Sequence, residues 1–370
     1  MIRLAAFALL AASAALSACD RPLVGLPQAV GGVPEVLVVS DSATWAGVVG
    51  DAVRQELARP IPTLPNQQGF LRLRFQPLAP QLLSNIRKTR NVLFIGPITA
   101  ETPIGDYVRA RIPEGQQGAL AAGEGVAVTV REDLWAVNQV VVTATAGSDS
   151  LLAQAIIDRG DSLRVAYERN VLSTTVRDMF DRGRQTEVED TLMAERGWAV
   201  AVQHDYVEVQ DTAATAAGRE GQFVRFRRVI PDSWRDFFVF TQDGVDELPE
   251  PAEIDRITAD LLETFAEGSI EGSYVVQDFR RPVETETVPL AGREAHEQRG
   301  LWVMSDRSMG GPYIRYAFVD RATDRLYVYY GMTFAPSRTL DKREFLRQME
   351  AIATTFRTAE DEARAAAAAA

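Results

Sequence analysis

Leu326-Tyr327-Val328-Tyr329-Tyr330 decides the fold of this chain. Successive side chains of a strand point to opposite faces. Both alternating sets are apolar here, so neither face can be left to water and the strand belongs at the centre of a sheet covered on both sides. Tyr313 to Val319 precedes it across the turn-forming run Asp320-Arg321-Ala322-Thr323-Asp324, which makes the pair an antiparallel hairpin.

The covering elements flank this hairpin. Leu340 to Phe356 carries Phe345, Leu346, Met349, Ile352 and Phe356 at helical spacing. Pro251 opens a second amphipathic helix with Ile254, Ile257, Leu261, Leu262 and Phe265 on one face, up to Gly268. Trp198 to Val202, Tyr206 to Val209, Phe223 to Ile230 and Phe237 to Thr241 read as strands, after a helix over Thr186 to Arg196. Beyond Ala359 a charged run and Ala365 to Ala370 have nothing to pack, and a disordered tail over 359–370 is expected.

The preceding half repeats the mixture. Val36 to Val39 is a buried strand, followed by one helix capped by Asp41 or Ser42 with Trp45, Val48, Val49, Ala52, Val53 and Leu57 inward, ending at Pro60. Leu71 to Phe75, Asn91 to Ile95, Val126 to Val130 and Val140 to Ala144 are further strands, and a short helix spans Gln81 to Thr89. A long helix from about Ser148 to Arg182 has Leu151, Leu152, Ile156, Ile157 and Leu163 as its stripe. The fold class is therefore α+β: two halves of mostly antiparallel sheet covered by amphipathic helices, with an α/β/α sandwich open to the C-terminal half. The chain of 370 residues exceeds the size at which single cores stop growing. An N-terminal α/β domain over 35–190 and a C-terminal antiparallel α+β domain over 191–358 are expected.

A formal charge of −12 argues against nucleic acid and anionic lipid surfaces as partners, because the net field repels both. Of 39 basic residues only Lys88 and Lys342 are lysine, so arginine in this chain is a poor marker of a site. No cofactor motif is present: neither lysine follows a glycine in a phosphate loop, and no G-x-G-x-x-G occurs. Gly268-Ser269-Ile270-Glu271-Gly272 has its serine one place too early for a nucleophile elbow. His204 and His296 are the only imidazoles and read as solvated, and with one cysteine they cannot supply the usual zinc ligands. Glu284 and Glu286 share a face if their segment is a strand, while Glu187, Glu189 and Asp190 cluster on a helix; solvated faces are the expected reading.

Residues 1–18 carry one positive charge at Arg3, an apolar run from Leu4 to Leu16 and small residues before Cys19. The run is shorter than the roughly 20 apolar residues of a permanent span. Leu16-Ser17-Ala18-Cys19 resembles the lipobox of bacterial lipoproteins, whose cysteine becomes the acylated N-terminus, so lipidation at Cys19 is expected. Two or more acyl chains make such attachment stable. Residues 19–34, Pro- and Gly-rich, form a flexible tether with a reach on the order of 20 Å. Asp20 resembles an inner-membrane retention signal of some bacteria, and the choice of inner or outer membrane stays open.

Gly300-Leu301-Trp302 through Met309-Gly310-Gly311-Pro312-Tyr313 is the stretch that looks least like mere core, since paired glycines before a proline and an aromatic permit close approach of another chain or ligand. Arg299, Trp302, Gly310, Gly311 and Tyr313 are its candidate binding surface. With Arg90-Asn91, Gly272-Ser273-Tyr274, Arg299-Gly300-Leu301-Trp302, Ala335-Pro336 and Lys342-Arg343, it resembles an uncharacterised envelope lipoprotein family of Bacteroidetes-type bacteria, a domain of unknown function. Tyr313 stands where that pattern has phenylalanine. The resemblance covers nearly the whole mature chain and implies an envelope lipoprotein with no activity to carry over.

The expectation is a lipid-anchored protein with a periplasmic domain, acting as a non-enzymatic binding or assembly module. Its partners would be membrane lipid through acylated Cys19 and an envelope protein or glycan. The alternative is an envelope hydrolase or carbohydrate-active enzyme using carboxylates, or a serine within Ser269 to Tyr274.

Overall fold

The computed structural model describes residues 25–231 and 233–369. The Leu16–Cys19 motif, the lipidation site Cys19 and the first tether residues lie outside the described residues. The α+β class holds, with the chain forming two compact units. One comprises the described residues up to Asp51 together with Leu73–Ala155; the other comprises Ala52–Arg72 and Ile156 onward. By packing, the second unit thus takes in more chain than the expected boundary near residue 190 gives it: Ile61, Leu64, Leu172, Val176 and Met179 belong to its core.

In chain order the first elements are β1 (Glu35–Ser40), α1 (Ser42–Ala46), α2 (Val48–Leu57), β2 (Arg72–Pro77), α3 (Leu83–Ile86), β3 (Asn91–Ile95), α4 (Pro103–Arg109), α5 (Glu114–Ala121), β4 (Val126–Glu132), β5 (Val140–Ala146) and α6 (Asp149–Phe180). The single helix expected after Asp41 is broken at Gly47. The first sheet runs β2-β1-β3-β5-β4. β1–β3 and β3–β5 are parallel and only β4–β5 is antiparallel among these three pairs, so this sheet is mixed where a mostly antiparallel one is expected. The crossovers through helices permit parallel pairing. The near-continuous apolar runs of β1, β3 and β5, all but fully buried, are what strands covered on both faces require. Phe94 stacks on Tyr107 of α4 at 4.1 Å within this core.

The second set is α7 (Thr186–Arg196), β6 (Trp198–Ala199), β7 (Val207–Ala216), β8 (Arg219–Ile230), β9 (Ser233–Asp243), α8 (Pro251–Phe265), β10 (Val275–Gln277), β11 (Glu284–Leu290), β12 (Arg293–Met304), β13 (Gly310–Asp320), β14 (Arg325–Phe334), α9 (Lys342–Thr354), β15 (Arg357–Thr358) and α10 (Ala359–Ala369). Its large sheet runs β10-β12-β13-β14-β9-β8-β7, with β11 also on β12. β14 lies at the middle of that path. Tyr327 and Tyr329 pack with Leu346, Met349, Ile352 and Phe356 of α9, while Leu326, Val328 and Tyr330 pack with Ile254, Ile257, Leu261 and Leu262 of α8. The unit is thereby layered α/β/α.

Residues 359–369 form a helix where a disordered tail is expected. Alanine has the highest helix propensity, and Glu360, Asp361 and Glu362 complement the dipole in the first turn. Asp361 accepts from the Thr358 amide at 2.9 Å and pairs with Arg293 at 2.9 Å. No helix of the described residues is long and apolar enough to cross a membrane.

Two buried arginine arrangements on β8 and β9 differ in kind. Asp236, fully buried, is held by Arg225 through two bonds of 2.8 Å and by Arg227 at 2.7 Å. Arg235 is 2 % exposed, stands directly opposite Arg228, and lies 4.0 Å over the Phe345 ring with Nε and Nη1 unpartnered. Burial pushes its pKa down to about 10. Replacing an unpaired buried charge by an apolar side chain removes a desolvation penalty, whereas removing one partner of a pair strands the other. Chemical denaturation should therefore find Arg235→Met neutral to about 3 kcal/mol more stable, and Asp236→Asn about 3–5 kcal/mol less stable. Equal losses for both would contradict this assignment.

Candidate functional site

Four pieces of the second unit, far apart in sequence, enclose a basin of ≈ 650 Å³. The strand period places Glu297 and Arg299 of β12 on one face, and antiparallel pairing sets Glu284 opposite Arg299 and Glu286 opposite Glu297. The Glu284–Glu286 segment is thus the strand that the sequence left conditional, and both carboxylates line the basin. Helical spacing in α9 brings Arg343, Arg347 and Glu350 to the same side, and α6 contributes Arg164, Glu168 and Arg169. Phe70 and the Arg59–Pro62 segment complete the wall.

The floor is an interlocked set of ion pairs. Arg299 contacts Glu297 at 2.5 Å and Glu350 at 3.0 Å, and the Tyr316 hydroxyl donates to Glu297 at 2.6 Å. Arg164 pairs with Glu168 at 2.5 Å and lies 4.4 Å over Phe70. Arg347 pairs with Glu344 at 2.8 Å, approaches Glu168 at 3.8 Å and donates to the Phe70 carbonyl at 2.6 Å. Burial raises the Glu168 carboxyl above its usual range, with Arg164 and Arg347 only partly opposing it. Burial also pushes Glu297 upward, but Arg299 and Tyr316 outweigh it and hold Glu297 below the usual range. Glu350 and Glu297 together hold Arg299 firmly protonated against its burial.

The rim differs from the floor. The side chains of Glu284, Glu286 and Arg169 have no hydrogen bond or ion pair among the described residues. Glu286 faces Glu297 directly, an arrangement of like charges that destabilises a strand pair. The β11–β12 wall is therefore rich in acid and the α6–α9 wall rich in arginine, and apolar Phe70, Val165 and Leu346 also line the cavity. Such a cavity suits a ligand with a cationic group at one end and polar or anionic groups at the other. A second depression of ≈ 580 Å³ is lined by Glu195, Arg196, Asp243 and Arg325. Its arginines are taken up by Asp211 and Asp243, so it presents less unpaired charge.

Of the sequence candidates, Arg299 lies in the basin. Trp302 and Tyr313 do not: they are 1 % and 0 % exposed, and the aromatic surface expected there is core. Trp302 donates Nε1–H to the Thr333 carbonyl at 3.1 Å and packs on Trp234 at 5.2 Å. Tyr313 donates to Gln298 at 2.8 Å and accepts from Gln277 at 3.0 Å. Gly310 and Gly311 serve strand packing instead of a ligand, since a Cβ on Gly311 would fall 2.0 Å from the Thr333 carbonyl oxygen and one on Gly310 2.7 Å from that of Trp302. Ser269 is exposed, Ser273 donates to the Ile270 carbonyl at 2.6 Å, and neither they nor His204 and His296 line the basin.

Arg299→Met removes the ion-pair partner of two half-buried carboxylates and should lower stability by about 2–3 kcal/mol at neutral pH. Because the folded pKa of Glu297 is depressed, its contribution is present above the unfolded value and disappears as pH falls through the folded one. The gap between wild type and variant should narrow below about pH 4, as read by thermal unfolding across pH. A gap independent of pH would contradict the pairing.

Residues 29–180 match a family described as a domain of unknown function (DUF8532), and residues 185–355 match another described in the same words (DUF4837). The matches meet at the end of α6. No curated protein matches the chain. The chain therefore carries two domains of unknown function, one after the other.

Proposed function

We propose that this chain is a lipid-anchored module of the bacterial cell envelope, attached through Cys19, whose basin binds a charged ligand without chemically altering it. The lipobox-like motif and tether support the anchor. One observation carries the binding reading: Glu168, Glu297 and Glu350 on the floor are each engaged by arginine, while Glu284, Glu286 and Arg169 on the rim are unengaged. A general acid or base needs a carboxyl free to exchange its proton with a substrate, and the floor groups are committed to structure. The rim groups are available to a ligand.

A second reading has its own support. Burial raises Glu168, whereas arginine and tyrosine depress Glu297, and divergent carboxyl groups in one cavity are the pattern of glycoside-cleaving acid and nucleophile pairs. That reading makes Glu168 a proton donor.

Cys19→Ser should move the protein from the membrane fraction to the soluble periplasmic fraction or leave it unprocessed; unchanged membrane retention contradicts the anchor. In thermal-shift titrations, lysine-containing tripeptides should stabilise the wild type and fail to stabilise Glu284→Gln/Glu286→Gln. Cleavage of an oligosaccharide by the wild type, lost in Glu168→Gln, would instead establish the second reading.

A further inference from the structure

The β8–β9 hairpin turns at one end of the sheet, with Val229 and Ile230 exposed just before the turn and Ser233, opposite Ile230, buried. β7 begins at Val207 opposite Arg227, so Arg228, Val229 and Ile230 run past it, and on the other side β14 ends at Phe334 opposite Trp234. Val229 is 69 %, Val207 64 % and Ile230 37 % exposed, and all three fall at this one end of the sheet. Exposed apolar side chains scattered singly need no explanation. These are gathered at one end of the sheet.

Behind the tip sits a collar of arginine and tryptophan. Half-buried Trp234 stands opposite Val229, with the Arg227 guanidinium 5.5 Å over its ring. Arg227 donates Nε–H to Asp236 at 2.7 Å and Arg228 to Asp205 at 2.6 Å. The terminal nitrogens of both have no hydrogen bond among the described residues. Within residues 225–236 there are four arginines and two aspartates, in a chain whose net charge is −12. Aliphatic end, tryptophan at the boundary and arginine behind is the order of side chains suited to a water–bilayer interface, where long cations reach phosphates while their stems lie in apolar surroundings.

We infer that this tip is a second membrane contact: Val229 and Ile230 enter the boundary between headgroups and acyl chains of a phospholipid surface, and Arg227 and Arg228 bind lipid phosphates. The inference rests on the envelope reading, since a body already tethered at a bilayer needs only a weak additional contact to be oriented on it. The acidity of the whole chain points to zwitterionic lipid, whose phosphates are accessible without a repelling surface potential.

The test uses the chain from Asp20 onward, which keeps every described residue and carries no acyl group, so the outcome is independent of whether Cys19 is lipidated. Its sedimentation with vesicles of phosphatidylethanolamine and phosphatidylcholine is compared with that of Val229→Ser/Ile230→Ser and of Arg227→Gln, which leaves Asp236 held by Arg225. Thermal unfolding verifies that the variants are folded. Binding by the wild type, a several-fold loss in each variant and no competition by inorganic phosphate are expected, along with quenching of tryptophan fluorescence by brominated lipids that the double variant lacks. A wild type that stays in the supernatant, or folded variants that sediment equally, would overturn the inference. Complete competition by inorganic phosphate would also overturn it by assigning the arginines to a free anion, as would self-association through the tip without vesicle binding.

Discussion

Everything in the second unit depends on a strand that has no polar face. Tyr327 and Tyr329 must be removed from water on one side of β14, and Leu326, Val328 and Tyr330 on the other. Fully burying a large apolar side chain contributes about 1.5–3 kcal/mol, so exposing either set would remove much of the margin that keeps a domain folded. The sheet is consequently built outward from this strand in both directions, with α8 closing one face and α9 the other. The Tyr329 hydroxyl, carried into the core by this arrangement, is satisfied by the Met349 carbonyl at 2.7 Å.

The basin is a by-product of that covering that has been given chemistry. α9 must lie over the sheet, and its arginines and Glu350 then meet the polar continuation of the same sheet face on β11 and β12. Paired charges at the floor form a network whose members hold one another in place. At the rim the pairing stops. Glu286 opposite Glu297 is a local conflict, and departures from local consistency in natural proteins are expected at functional sites.

Much of the fold was legible because its strongest signals are periodic. The two-faced strand, the Tyr313–Val319 hairpin arm and the amphipathic α8 and α9 follow directly from spacing. The β11–β12 hairpin did not, for its outer strand is polar on one side, charged at Glu284 and Glu286, and holds Pro289, features that blunt an edge strand and also disguise it. Its turn at Ala291–Gly292 has positive φ at both residues, a geometry for which Ala-Gly is a weak advertisement. α4 was announced only by Thr102-Pro103, cap and first turn, in a helix of seven residues. The parallel pairing of β1, β3 and β5 depends on crossovers that no single segment encodes. As for the site, the Gly310-Gly311 motif drew attention to a place where strands approach closely. The basin itself is assembled from residues up to nearly three hundred positions apart, in arginines that the lysine-poor composition makes unremarked.

An account in which this body works at a membrane stands on the chemistry of one sulfur atom. Mass spectrometry of the N-terminal peptide of the native protein, isolated from cells, measures it directly. The account predicts a peptide that begins at Cys19 and carries the mass of fatty acyl groups. A peptide that extends N-terminal to Cys19, or a Cys19 with an unmodified thiol, would contradict it.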